Sequence, residues 1–246
     1  MTKKMVLSVG MPRAGSGWYY NLTQELVIAA GGVNAKVIRS KYGLKNLLTA
    51  VNCNLGTLSF YRLIPTLIPL LFEPSYVIKL HAGRRLLADR LIGFGLIKPT
   101  FIFRDPRDAL LSAYEYGERM TAQGLTNAFT PLKTLEDAIN FMDFYVKIAR
   151  GWITHPGTLV VKYENLIGDY DREAKRLADF LNIDSDDNNV QMVIDQYRPD
   201  QKPKKSEGLH FVKGKIGRYQ DTFTSEQLTM CTRLFGDFLE EHGYDN

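Results

Sequence analysis

The sequence predicts an α/β fold, a three-layer sandwich in which helices flank a central, mostly parallel sheet of the P-loop nucleotide-binding type. Short β-rich runs at residues 5–10, 76–80, 99–104 and 158–163 alternate with helix-like segments, as parallel strands joined by crossover helices do. Each run ends in a polar cluster, and ligands of such sheets gather at the carboxyl ends of the strands. The first run, MVLSVG, opens through a Gly/Ser loop directly into an amphipathic segment. Loop N–H groups and a helix N-terminus then converge on an anion.

The first loop differs from an ATP loop. The Walker spacing begins at Gly10 and reaches Gly15, but Ser16 stands at the lysine position and Gly17 at that of the magnesium-binding hydroxyl. The basic residue of the loop is Arg13. We therefore read a phosphate loop without a metal ligand, followed by a helix over residues 16–30. His155, His210 and His242 are scattered without metal-ligand spacing, so no metal site is expected.

Residues 58–72 are apolar but carry Arg62, Pro65 and Pro69 and fall short of a membrane span. They are expected to form a buried or lid-like helical segment, with interfacial membrane contact as the alternative. The second strand, YVIKL, sets Lys79 and His81 two residues apart on one side of its end. A neutral histidine there can take a proton from an attacking hydroxyl or amine, the bland alternative being a surface histidine. A helix over 84–94 follows.

The third strand ends in Arg104-Asp105-Pro106-Arg107-Asp108. Pro106 suits a first helical turn and Asp108 the helix dipole, giving a helix over 106–120 with Ser112 two turns in. Arg104 and Ser112 are placed to hold one phosphate, or Arg104 forms a structural pair with an aspartate. Helices are further expected over 135–154, 170–181 and 225–242, the last capped by Thr224 or Ser225 with Glu226 and Gln227. Residues 184–214 give the weakest signal, and their second half is expected to be a mobile loop over the site. In HFVKGKIGRYQDTFT, two lysines and two glycines within five residues suit a basic loop that folds over an anion.

At 246 residues the chain is expected to form a single domain, residues 1–246. A net charge of +4 suits an anionic ligand but lacks the Lys/Arg stripe of a nucleic-acid binder. Two distant cysteines, Cys53 and Cys231, and an N-terminus without a signal-peptide pattern point to a soluble, cytoplasmic protein with no transmembrane segment. No oligomeric state is set by these features.

Taken together, these pieces resemble the sulfotransferase family that uses 3′-phosphoadenosine 5′-phosphosulfate (PAPS). The family's P-K-S-G-T-T-W loop is similar to Pro12 through Trp18, and its F-R-[DN]-P-[RK]-D-x-x-x-S segment to Phe103 through Ser112. Its K-T-H segment resembles Lys79-Leu80-His81, its Y-E-D/N-L strand end Tyr163-Glu164-Asn165-Leu166, and its closing R-K-G-x-x-G-x-W/Y loop Val212 through Tyr219. The resemblance implies that Arg13, Ala14, Gly15, Ser16 and Gly17 cradle the 5′ end of PAPS, with Trp18 near the adenine. It also implies Arg104 and Ser112 at the 3′-phosphate, Tyr163 beside the donor, and Lys213 and Gly214 closing over it. His81 would be the general base, Lys79 would neutralise the transferring sulfonate or the leaving adenosine 3′,5′-bisphosphate (PAP), and Arg13 would clamp the bridging oxygen by hydrogen bonds. Arg13 departs from the usual lysine, Gly17 lacks a hydroxyl, and Val212 replaces an arginine.

Two other functions compete: a P-loop nucleotide kinase, which needs the lysine that Ser16 replaces, and a non-catalytic nucleotide-binding protein, against which Lys79 and His81 argue. The expected acceptor wall spans residues 41–72 and 114–129, with Phe60, Tyr61, Phe72, Tyr114 and Tyr116. It suits a small lipid-like or phenolic acceptor, although core packing accounts for the same residues.

Overall fold

The computed structural model describes residues 3–201 and 215–244. Strands β1 (Met5–Gly10), β2 (Tyr76–Leu80), β3 (Ile97–Phe103) and β4 (Leu159–Lys162) form one parallel sheet in the order β2-β1-β3-β4. The connections carry helices α1 (Ser16–Ala29), α2 (Ala35–Lys41), α3 (Phe60–Leu67), α4 (Leu86–Gly93), α5 (Pro106–Ala122) and α6 (Leu135–Ile153). After β4 come α7 (Tyr163–Gly168), α8 (Tyr170–Leu181), α9 (Asn188–Gln196) and α10 (Ser225–Glu241). With β1 flanked by β2 on one side and β3 on the other, the loop after β1 lies where the strand order reverses, which is where open parallel sheets bind ligands.

Strand side chains alternate between the two faces. Leu7, Val9, Ile78 and Phe101 join one apolar cluster with Leu110 of α5, Ile139 of α6 and Phe238 of α10. Val6, Val77, Ile102 and Val161 join the other with Leu22 of α1, Leu177 of α8 and Ile194 of α9. Helices thus cover both faces, as the sequence leads one to expect. Lys79, lying between Ile78 and Leu80, belongs to the α1 face.

Several details differ from the sequence reading, among them α2 and α7, which it did not expect. Strand β3 starts at Ile97 rather than residue 99, with Pro99 inside it. The proline is tolerated because β4 pairs with β3 only from Thr100 onward, so β3 is locally an edge there. Strand β4 stops at Lys162 because Tyr163 begins α7. Helix α9 forms within the weak 184–214 region: the Asp187 side chain accepts from the N–H groups of Asn189 and Val190, and Val190 and Ile194 are buried. Residues 58–72 fold as α3 followed by a 3₁₀ turn (Ile68–Leu71), in which Leu58, Leu63 and Leu70 enter the core while Phe60, Tyr61, Leu71 and Phe72 are exposed. The expected loop over the site falls largely on residues 202–214, outside the described residues, as do Val212, Lys213 and Gly214.

Candidate active site

All four strands deliver a functional side chain from their carboxyl ends into one cleft of about 1220 Å³. The loop after β1 is tightly constrained. A Cβ on Gly10 would lie 2.6 Å from the Ser16 Cβ and 2.9 Å from Ile102 Cγ2, so only glycine lets α1 start this close to β3. Gly15 caps α1 in the left-handed region at φ 74°, and a Cβ there would strike the Tyr163 ring at 2.7 Å. Tyr163, the first residue after β4, therefore backs the loop. Ser16 opens α1, and it lines the cleft together with Gly17; Ala14 packs into the core and does not.

Arg13 holds a left-handed backbone at φ 63°, a conformation that costs a non-glycine residue of order 1 kcal/mol. Its Nε donates to Ser112 Oγ at 3.2 Å, and its guanidinium stacks over the Tyr116 ring at 4.5 Å from the centroid. Burial draws its pKa below the ordinary value. The two residues expected at opposite ends of one donor, Arg13 and Ser112, are thus direct neighbours. Trp18 is 6% exposed, with its indole N–H donating to the Tyr197 carbonyl at 3.0 Å and its ring stacked on Tyr170; it still contributes to the cleft wall.

Lys79 is 5% exposed, and among the described residues no carboxylate pairs with it. Burial, reinforced by the nearby positive charge of Arg13, pulls its ammonium down to about 8. His81 is half-buried, with Nδ1 2.6 Å from the Gly10 carbonyl oxygen. A carbonyl only accepts, so Nδ1 carries the proton and Nε2 is left with its lone pair. Burial, with Lys79 adding repulsion, lowers the imidazole to about 4. The ring is therefore neutral at pH 7.

Arg104 is 7% exposed. Its Nη2 donates to Asp108 Oδ2 at 2.9 Å and to the Lys215 carbonyl at 2.6 Å, and its guanidinium lies over Tyr163. Its buried Nε has no hydrogen-bond partner among the described residues. Asp108 also accepts from the Gly217 and Tyr219 N–H groups at 2.8 and 3.3 Å, so it ties the returning 215–221 segment to α5. Both readings of Arg104 therefore coexist: a structural pair with Asp108, and a guanidinium with a buried N–H still to be satisfied.

Sequence reasoning missed part of the wall. Phe60, Tyr61 and Phe72 are exposed and lie outside the cleft, as does Tyr114, whereas Tyr116 lines it. The aromatic wall comes instead from Phe129 and from Phe141, Phe144 and Tyr145 of α6. Their i, i+3 and i+4 spacing places them on one helix face, which was the available signal. Arg84, Arg85, Arg119, Lys215 and Arg218 also line the cleft. With Arg13, Lys79 and Arg104 they make eight cationic side chains against one carboxylate, Glu115, among the described lining residues. Arg84, Arg104 and Arg218 are paired with Asp89, Asp108 and Glu115, and the cations that remain suit a charged anion. No group of three or more His, Cys, Asp or Glu residues among those described is placed to hold a metal ion.

The sequence model of the sulfotransferase domain matches residues 90–243. No curated protein matches the chain at the sequence level. Among solved structures, mouse sulfotransferase SULT7A1 complexed with PAP superposes with a TM-score of 0.63 at 15% identity, over 98% of this chain and 85% of that one. Retinol dehydratase in complex with androsterone and inactive cofactor PAP gives 0.61 at 16% identity, over 98% and 82%. An Arabidopsis thaliana putative steroid sulphotransferase gives 0.51 at 15%, over 100% and 79%.

Proposed function

Because this chain belongs to the sulfotransferase domain family, we propose that it moves a sulfonate group from PAPS to a hydroxyl or amine of a small, apolar or amphipathic acceptor, with His81 as general base. The observation that carries this reading is the convergence of Arg13, Lys79, His81 and Arg104 from the ends of β1, β2 and β3 on a cleft with eight cations and one carboxylate. PAPS supplies an activated sulfonate and leaves as PAP, the ligand in the two PAP-complexed structures compared above. The residues fit such a polyanion. The glycine-constrained loop and the start of α1 offer N–H groups, and the unsatisfied Nε of Arg104 suits a phosphate oxygen.

His81 Nε2 takes the acceptor's proton as the acceptor oxygen or nitrogen attacks, while the Gly10 carbonyl fixes the tautomer. Lys79, titrating at about 8, is mostly protonated at neutral pH and offsets charge on the transferring sulfonate and the leaving phosphate. Arg13 does the same as a planar fork and keeps its proton. Lys213 and Gly214 are assigned the closing role by resemblance. The aromatic wall of Phe129, Phe141 and Tyr145 supports an apolar acceptor, in keeping with the androsterone in retinol dehydratase. Two buried free cysteines suit a reducing, cytoplasmic setting.

The test is transfer of radiolabelled sulfonate from PAPS across a panel of phenols, sterols and long-chain alcohols, with the His81→Ala variant in parallel. Transfer by the native chain, lost in His81→Ala with PAP binding intact, supports the reading. Unchanged transfer in His81→Ala removes the general base.

A further inference from the structure

Five of the large hydrophobic side chains exposed among the described residues fall on one short stretch. Phe60 and Tyr61 of α3 are 60% and 84% exposed, and Ile68, Leu71 and Phe72 of the following turn are 49%, 72% and 70% exposed. Their neighbours Leu58, Leu63 and Leu70 are buried, so the segment is anchored by one face and presents the other outward. It begins three residues after Thr57 of the cleft wall, and Asn54 of that wall bridges to Lys79. Its far end reaches the amino end of the sheet, where the Tyr76 hydroxyl bonds the Thr66 carbonyl and Lys3 Nζ lies 3.5 Å from the Leu71 carbonyl. The patch therefore runs along the β2 edge from the cleft rim to the base of the molecule.

The charge around it is one-sided. Residues 31–75 contain Lys36, Arg39, Lys41, Lys45 and Arg62 but one acid, Glu73, whose carboxylate is already held by Lys41 and the Tyr42 hydroxyl. Lys3 adds a further cation at the edge of the patch. Aromatic and aliphatic side chains that project from a short amphipathic helix, bordered by lysines and arginines, complement an anionic bilayer surface: the apolar side chains enter the headgroup boundary and the cations meet lipid phosphates. No helix among the described residues is long and apolar enough to cross a membrane.

We propose that α3 and the turn after it dock this protein peripherally on membranes containing anionic lipid, with Phe60, Tyr61, Leu71 and Phe72 inserted and Lys3 and Lys45 at the headgroups. The cleft rim then sits beside the bilayer, so an apolar acceptor reaches it from the lipid phase.

Vesicle co-sedimentation tests this with phosphatidylcholine alone and with phosphatidylcholine containing phosphatidylglycerol. The expected result is binding to the mixed vesicles, weaker at high salt and on the neutral ones. The Phe60→Ser/Tyr61→Ser and Leu71→Ser/Phe72→Ser variants are expected to bind about tenfold or more weakly. All four positions are exposed, so unchanged circular dichroism and PAP binding separate loss of docking from loss of fold or of donor chemistry. Absence of binding to mixed vesicles overturns the proposal. So does vesicle binding unaffected by either pair of substitutions, and so does a dimer in light scattering that these substitutions dissociate, since the patch would then bury a second copy.

Discussion

Arg13 Nε donates to Ser112 Oγ at 3.2 Å, joining the loop after β1 to the second turn of α5. The bond holds the side chain of Arg13, whose backbone is left-handed, at the mouth of the loop, where the Tyr116 ring supports its guanidinium. A charged donor with a neutral acceptor is worth about 1 to 2 kcal/mol. Ser112→Ala should therefore weaken PAP binding about tenfold, as titration calorimetry would read. Arg13→Ala should lower the transfer rate by about 10² to 10³. Because the two side chains act together, the double variant should fall close to Arg13→Ala alone rather than at the sum.

The pH dependence of kcat/KM follows from His81 and Lys79. His81 titrates at about 4 in the free protein, below the ordinary histidine value of 6.5, so the base is neutral and competent above about pH 4. Lys79 titrates at about 8 and loses its charge above that. The profile should rise near pH 4, stay level across neutrality and fall near pH 8. Lys79→Ala should remove the alkaline limb while the acid limb set by His81 stays. An acid limb at 6.5 would place the base in water.

His81 also affects stability. Between about pH 6.5 and 4 the unfolded chain binds a proton on this imidazole that the folded chain does not, so stability falls as pH drops through that window. Thermal unfolding from pH 7 to 4 should show a shallower loss in His81→Gln than in the native chain.

Gly15→Ala tests the loop geometry. Its methyl group would meet the Tyr163 ring at 2.7 Å, at a backbone angle of 74°. Strain and overpacking together should cost about 2 to 3 kcal/mol, seen as a fall of roughly 5 to 10 °C in Tm, with PAP binding lost as the loop shifts.

Much of this site was legible because strand ends are marked by abrupt changes of residue type. The MVLSVG run stopping in a Gly/Ser loop, YVIKL stopping at His81, and Arg104 preceding Asp105-Pro106 each located a cleft residue. Helix α9 was obscured because DSDDNN reads as turn, although Asp187 is its cap. Phe60 and Tyr61 were misread as acceptor wall because hydrophobicity alone does not say which face of a helix is buried. The Arg13–Ser112 contact joins residues 99 positions apart, and nothing local encodes it.

Asp108 links chemistry to stability. It holds Arg104 and the Gly217 and Tyr219 N–H groups together. Asp108→Asn leaves Arg104 buried without its counter-charge, at about 3 kcal/mol, lowering Tm by roughly 6 to 12 °C. Saturating PAP should recover part of that loss by setting a phosphate against Arg104. Equal stabilisation of the native chain and the variant by PAP would leave Arg104 with a purely structural role.

A cleft built for a nucleotide that carries phosphates at both ends of its ribose, without magnesium chemistry, should discriminate sharply between PAP and ATP. Isothermal titration of PAP and of ATP into the native chain with a chelator present tests it most directly. Binding of PAP at least about a hundredfold tighter than ATP, weakened in Arg104→Ala and Arg13→Ala, is the predicted result. Equal affinity for the two, or ATP binding restored and preferred on adding magnesium, would contradict it.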